Sequence, residues 1–155
     1  MTGEKSTQQK VDNEKTDLLV RDHFNYFHQL RVRYAEIDGQ GIVFNAHYLT
    51  YFDTAVTEFV RNINYDYLEQ VTGKGLDFFL VKATIDFFKP IRFDEIIDIG
   101  VTAHKIGKSS LTWLLAIFKK GEEECLASGK LVWVCSRVGT NKSFPLPDDL
   151  VKILQ

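Results

Sequence analysis

Residues 46–62, AHYLTYFDTAVTEFVRN, constrain the fold of this chain more than any other stretch. Their polar members His47, Thr50, Thr54, Thr57 and Arg61 fall at helical spacing on one narrow stripe. Most of the other positions are apolar: Ala46, Tyr48, Leu49, Tyr51, Phe52, Ala55, Val56, Phe59 and Val60. A surface helix normally shows the reverse, a limited apolar stripe on a polar rod. This helix must therefore be enclosed over much of its circumference. Asn45, just ahead of it, has the side-chain chemistry of an N-cap.

The rest of the chain supplies the enclosure. Tyr26, His28, Leu30, Val32 and Tyr34 alternate with Gln29, Arg31 and Arg33, which predicts a half-buried strand. The loop AEIDGQGIVF follows, with Gly39 and Gly41 allowing tight geometry. Beyond the helix, a short helical stretch over 65–71 and a turn at Gly73–Gly75 lead into a β-rich region reaching about Val138. There Phe79, Val81, Ala83, Ile85 and Phe87 alternate with polar residues until Pro90 ends or bends the strand. A second alternating set (Phe93, Ile97, Ile99, Val101, Ala103) runs to a turn at IGKSS. LTWLLAIF, apolar on both faces, reads as a central strand, and a last strand carries Cys125, Ala127, Leu131, Trp133 and Cys135. Pro145 and Pro147 precede a short helix, DDLVKIL. Strand, buried helix, then four antiparallel strands specify an α+β fold. A flat sheet would leave the helix wet, so the five-stranded antiparallel sheet must curl around it. Outward apolar residues (Phe88, Leu114, Phe118, Val132) predict that the other face or an edge is covered too, most simply by another subunit.

Composition excludes several function classes. With 155 residues the chain fits one domain over 23–155, preceded by a polar, aperiodic tail over 1–22 that is expected to be disordered. Nineteen basic against 21 acidic residues give a net charge of −2, so no global basic field draws nucleic acid. No apolar run approaches the roughly 20 residues needed to cross a bilayer, and MTGEKSTQQK lacks the apolar core of a secretory signal. Cys125 and Cys135 fall on one extended segment, roughly 33 Å apart and beyond disulfide reach, which predicts free thiols in a reducing cytoplasm. His23, His28, His47 and His104 show no metal-ligand spacing, and no phosphate-binding or dinucleotide fingerprint is present. Neither a metal nor a cofactor is expected.

The run RVRYAEIDGQGIVFNAHYLTYFDTAVTEFVR resembles the signature of the 4-hydroxybenzoyl-CoA thioesterase family, including its Tol–Pal-associated bacterial branch. In that pattern a strand ends in Tyr-x-Glu-x-Asp. A Gly-hydrophobic-Val-aromatic loop then enters a helix bearing Tyr-x-x-aromatic-hydrophobic-acid-x-Ala. IDFFKPIRFDE and IGKSSLTW look similar to later parts of the same family, so the resemblance spans about Phe24 to Arg137. It implies the hotdog fold and hydrolysis of an acyl-CoA thioester by a homo-oligomer, a dimer or tetramer with sites at subunit interfaces. Acyl-carrier protein is an alternative donor of the acyl group.

By that resemblance Asp38 occupies the position of the catalytic aspartate, and the Asn45 N–H is the donor that polarises the thioester carbonyl. The chemistry agrees: thioester cleavage needs a nucleophile or base and a stabilised oxyanion, and a helix start offers free N–H groups at a positive dipole end. Asp38 fits direct attack or activation of water equally well. Its residue type and flanking glycines fit a second role as readily, a turn aspartate accepting a local N–H, and the full motif favours catalysis. Gly41, Phe44, His47 and Tyr48 beside the loop are candidates for substrate contact, although Gly41 has the simpler role of keeping the loop tight, His47 that of a structural or interface histidine and Tyr48 that of core. The resemblance implies CoA phosphate contact near the hairpin or on a neighbouring subunit, with Lys108 and Ser109 as candidates. Lys89, Arg92 and Lys105 are weaker phosphate candidates.

The Tol–Pal-associated branch commonly carries His where this chain has Asn45, with His47 two positions later. Asp53 is the second carboxylate candidate, since another hotdog branch places its acid about two turns into the helix, although that branch has Gly-Gly where this chain has Asn45-Ala46. A structural ion pair with Arg61 or a strand residue is the simpler role for Asp53, and Glu58 reads as structural. Two other readings stand beside the thioesterase: a hotdog hydratase or dehydratase, and a non-catalytic acyl-CoA or carrier-protein binding module.

Overall fold

The computed structural model describes residues 19–155. In chain order they form β1 (Phe27–Arg31), α1 (Asn45–Asn62), α2 (Tyr67–Thr72), β2 (Leu76–Phe87), β3 (Ile96–Ile106), β4 (Ser110–Lys119), β5 (Cys125–Arg137) and α3 (Asp148–Leu154). Two 3-10 turns, Arg21–His23 and Tyr34–Glu36, flank β1. The strands make one antiparallel sheet in the order β1-β3-β4-β5-β2. The expected α+β hotdog arrangement is present, with α1 lying across the sheet.

The sheet must wrap, because α1 touches β1 and β2, which are its opposite edges, as well as β3. It meets the two remaining strands through single side chains. Phe59 packs edge-on against Trp113 of β4 at 5.4 Å. Phe52 lies so close to Gly129 of β5 that a Cβ there would sit 2.5 Å from the Phe52 ring. Phe52, Ala55 and Val56 are completely buried. Each large side chain so enclosed contributes about 1.5–3 kcal/mol of transfer free energy. Thr50, Asp53, Thr54 and Arg61 remain exposed, close to the polar stripe read from the sequence.

The inner face is built row by row. Val101, Leu115, Gly129 and Ile85 stand opposite one another across β3, β4, β5 and β2. One row along, Gly100 pairs with Ala116 on the outer face, and here the chain covers itself. Phe24 presses on Gly100, where a Cβ would lie 2.5 Å from its ring, and joins Ala116, Phe118 and Cys125 in a second small core. Arg21 stacks its guanidinium 5.1 Å from the rings of both Phe27 and Phe118, and its Nη2 donates to buried Asp98 at 2.8 Å. Gln29 donates to the other Asp98 oxygen at 2.8 Å, so that carboxylate is paired on both sides.

Two expectations are thereby corrected. Phe118 is covered by the chain's own residues 19–24 rather than by another subunit, because an arginine and a phenylalanine there match an apolar patch with a carboxylate at its rim. Of the tail expected over 1–22, residues 1–18 lie outside the described residues, whereas Arg21 is held by the sheet. The β2 alternation also changes phase. A bulge between Leu80 and Lys82 puts Phe78 and Leu80 opposite Cys135 and Trp133, and then Ala83 and Ile85 opposite Leu131 and Gly129. Phe79 and Val81, read as inward, are 52% and 59% exposed. A single inserted residue flips every side chain before it to the other face.

Both cysteines are free and buried, as expected. Burial pushes the Cys125 thiol up to about 11. Replacing Gly129 with Val should destabilise the fold by about 1–3 kcal/mol, because the added methyls must displace Phe52 from the sheet. Urea unfolding midpoints measure it, and an unchanged midpoint would show that α1 does not depend on this contact.

Candidate active site

The loop between β1 and α1 is a small hairpin folded on itself. Ile37 and Val43 form an isolated antiparallel bridge. The Asp38 N–H donates to the Ile42 carbonyl at 2.9 Å, and the Gly41 N–H donates back to the Asp38 carbonyl at 3.0 Å. Gly41 makes the reversal at φ +77°, a left-handed geometry that costs a side chain roughly 1–2 kcal/mol. One rung further, the Phe44 N–H donates to the Glu36 carbonyl at 2.9 Å, and the Val43 N–H is held by the Ile91 carbonyl at 2.8 Å. Asp38 therefore sits at the hairpin's turn, while Phe44 at its other end leads straight into α1.

The Asp38 carboxylate takes the Gln40 N–H on Oδ1 at 2.8 Å. This is the local turn role that its residue type allowed. It occupies one oxygen and orients the group, and Oδ2 accepts no hydrogen bond among the described residues. The two roles weighed for Asp38 are thus compatible, since an anchored carboxylate with one free oxygen can attack or accept a proton.

Asn45 is not the N-cap. That place belongs to Phe44, whose backbone is extended (φ −63°, ψ 138°) and whose side chain makes no capping bond. Asn45 is the first helical residue. The hairpin's last rung satisfies the Phe44 N–H from outside the helix, so the helix begins one residue earlier than capping chemistry suggested. The N–H groups of Asn45 and Ala46 meet no protein acceptor among the described residues. A helix start with unengaged N–H groups is suited to an oxyanion.

The other candidates divide between near and far. Phe44 is exposed, with its ring 6.0 Å from that of half-buried His47. Tyr48 is buried against Phe87 at 4.8 Å. Burial pushes its hydroxyl above the ordinary phenol range; a bond to the Ile91 backbone opposes this, and the Asp38 and Glu95 charges add to it. Tyr48 therefore lies within the electrostatic reach of Asp38. Lys108 and Ser109 do not. They cap β3 at the end opposite Glu95, which holds the Val32 N–H, and the strand's 11 residues span about 33 Å. There their carbonyls accept the N–H groups of Leu146 and Cys135 at 2.8 Å each. Asp53 does not pair with Arg61, which instead reaches Glu58 one turn away.

Asp53 lines a cavity of about 590 Å³ between the second half of α1, α2, β2 and β5, together with Thr57, Tyr65, Phe78, Leu80 and Trp133. Of its aromatic walls Phe78 comes from β2, whereas Tyr48 and Phe52 of α1 are core. Tyr65 is buried, and its hydroxyl has no partner among the described residues. Asp53 is eight residues beyond Asn45, so the cavity opens about 12 Å along the helix from the N–H groups.

Glu36 stands in the Tyr-x-Glu-x-Asp motif, and residue type alone gives it no role. Glu36 is only 5% exposed, yet it is a carboxylate. Its Oε2 accepts the Tyr51 hydroxyl at 2.6 Å and the Arg33 N–H at 2.9 Å, and its Oε1 accepts Arg33 Nε at 2.9 Å. Burial alone would raise this carboxyl; the Tyr51 and Arg33 hydrogen bonds outweigh it and hold the group below the usual glutamate range. Burial and the same bond push the Tyr51 hydroxyl far above the phenol range. Glu at the end of a strand, two residues ahead of the catalytic candidate, was the available signal.

Comparison with known proteins bears on the family and the fold of this chain. A family model described as Thioesterase superfamily matches residues 40–126, which takes in Asn45 and the whole of α1 and begins two residues after Asp38. A putative esterase of Aquifex aeolicus is 25% identical over 84% of this chain and 98% of its own length. The acyl-CoA thioester hydrolase YbgC of Escherichia coli is 25% identical over 79% of this chain and 90% of its own. A solved mutant 4-hydroxybenzoyl-CoA thioesterase, complexed with 4-hydroxybenzoyl-CoA, superposes with a TM-score of 0.77, covering 84% of this chain and 98% of that one. At 14% identity that likeness speaks for the hotdog fold alone. With more than half of its length matched by the family model, the chain belongs to the thioesterase superfamily.

Proposed function

We propose that this protein hydrolyses acyl-CoA thioesters to the free acid and CoA, with Asp38 as its working carboxylate and the Asn45 N–H as oxyanion donor. The observation that carries this reading is the 36–44 hairpin, which orients Asp38 through one oxygen and ends on a helix whose first N–H groups are unengaged. If Asp38 attacks, its free oxygen bonds to the thioester carbon, the C–S bond breaks, and CoA leaves as a thiolate that takes a proton. Water then hydrolyses the anhydride and restores the carboxylate. If Asp38 acts as a base, it removes a proton from water as the water attacks, and the thiolate recovers that proton. Either path places negative charge on the carbonyl oxygen, where one good N–H donor is worth about 2.7–4 kcal/mol.

The YbgC relatives, named for acyl-CoA, support CoA as the carrier. Asn45 in place of the branch's histidine leaves the acyl group defined only by class. The cavity beside Asp53 and Tyr65 is the natural receptor for an acyl group. Lys108 and Ser109 can reach a CoA bound near Asp38 only from a second subunit, because within one chain they are at the wrong end of β3. Buried free thiols fit a reducing compartment such as the cytoplasm. Among the described residues no helix is long and apolar enough to cross a membrane.

The β2 edge supports a homo-oligomer. It is an edge strand of 12 residues, long for an edge, and Phe79, Leu80, Val81 and Phe87 on it are 41–59% exposed. A long apolar edge is a template for pairing, and a second copy related by a two-fold axis is the simplest occupant. A tetramer would need a further surface.

Asp38→Asn should lower kcat by about 10²–10⁴-fold while the variant stays folded. Thiol release from a panel of acyl-CoAs and acyl-carrier proteins measures this and also reports the preferred donor. Wild-type turnover by the folded variant would refute the assignment, and saturable acyl-CoA binding without thiol release would mark a binding module instead. Light scattering should find a dimer or tetramer for the wild type. The Phe79→Lys/Val81→Lys double variant should dissociate at micromolar concentration; a wild-type monomer would exclude the β2 interface.

A further inference from the structure

We propose that Glu36 and Tyr51 are positioning residues, whose buried hydrogen bond braces the 36–44 hairpin against α1 and so fixes where Asp38 stands relative to the first N–H groups of the helix. The assignment rests on the reading of Asp38 as the working carboxylate.

Three connections converge on Glu36. Its carboxylate takes the Arg33 backbone N–H and side chain, which ties it to the start of the 3-10 turn. Its carbonyl takes the Phe44 N–H, the hairpin's last rung before α1. Its Oε2 takes the Tyr51 hydroxyl at 2.6 Å, and Tyr51 lies six residues into the helix beyond Asn45, about 9 Å along the axis. The hairpin is thus fastened to α1 at two points, one at the helix start and one more than a turn further on. A segment fastened at one point can pivot; fastened at two, it holds an angle. Asp38 is on the same arm, two residues past Glu36, and its side chain carries no other tertiary hydrogen bond among the described residues.

The chemistry suits a brace better than an acid or base. Tyr51 is 3% exposed and Glu36 5%, so neither meets substrate. An anionic acceptor makes the bond short and strong. Losing either partner strands a buried polar group, so the hairpin gains by shifting until water reaches it. Displacing a reacting group by about 1 Å can cost on the order of 10²-fold in rate.

Tyr51→Phe removes one buried oxygen, and Glu36→Gln keeps the shape but loses the charge. Each should lower kcat by about 10–100-fold with KM within twofold, in protein whose far-ultraviolet circular dichroism and thermal midpoint show a retained fold. The double variant should lose no more than the worse single one, since one change weakens and the other removes the same bond. Amide exchange at Asp38, Val43 and Phe44 should speed up in Tyr51→Phe while that at Ile99 and Trp113 stays as in wild type. Exchange needs no catalysis, so it reads the brace apart from the chemistry, and it serves if Glu36→Gln fails to fold. Wild-type kcat and exchange in folded Tyr51→Phe would overturn the brace, as would additive losses in the double variant. Asp38→Asn run alongside separates the two ideas. If it is inactive while the brace variants are normal, only the brace falls; if it is fully active, the Asp38 reading falls and this assignment with it.

Discussion

The contact on which the structure depends is that of α1 with the inner face of the sheet, closest where Phe52 meets Gly129. A helix with six buried side chains cannot be solvated and cannot be satisfied by one neighbour. It forces strands from both ends of the sheet to close on it. The glycine lets the ring approach to backbone distance, so the helix axis sits low in the sheet. The hairpin that carries Asp38 is referred to that axis, because it runs directly into the first turn of the helix.

The sheet is completed from outside by different means. Phe24 uses Gly100 as Phe52 uses Gly129, one glycine on each face of the same sheet. Arg21 then stacks between two phenylalanines and neutralises Asp98. The outer face near β1 is therefore closed within the chain. Among the described residues the β2 edge stays open, and its bulge turns Phe79 and Val81 away from the core. Self-covering on one side thus contrasts with an unpaired apolar strand on the other.

The site combines a rigid axis with a short hairpin. Backbone bonds fold the hairpin, a left-handed glycine turns it, and a buried carboxylate clamps it to the helix. This division explains why Asp38 can spend one oxygen on the Gln40 N–H and remain available. The turn bond fixes rotation of the side chain, while the hairpin and its clamp fix its place.

The apolarity of 46–62 around nearly the whole helix, and the period-two strands after it, determined the architecture from the sequence alone, because burial demand is written in residue type and spacing. The motif singled out Asp38 and the helix start, and the fold sets them at the two ends of one short hairpin. The phase of β2 was not, since one inserted residue leaves the local alternation intact while reversing which side faces in. The covering of Phe118 by Arg21 and Phe24 was hidden because the partners are about a hundred residues apart in the chain. The N-cap was misplaced at Asn45, since capping preference is local and the Phe44 N–H is satisfied by a residue in the facing arm. Glu36 looked like any surface glutamate until the fold put Tyr51 over it. Sequence thus decided what must be buried and which groups are candidates to react. Only the tertiary structure decided what is held against what, because a hydrogen bond between distant residues depends on where the packed helix stops.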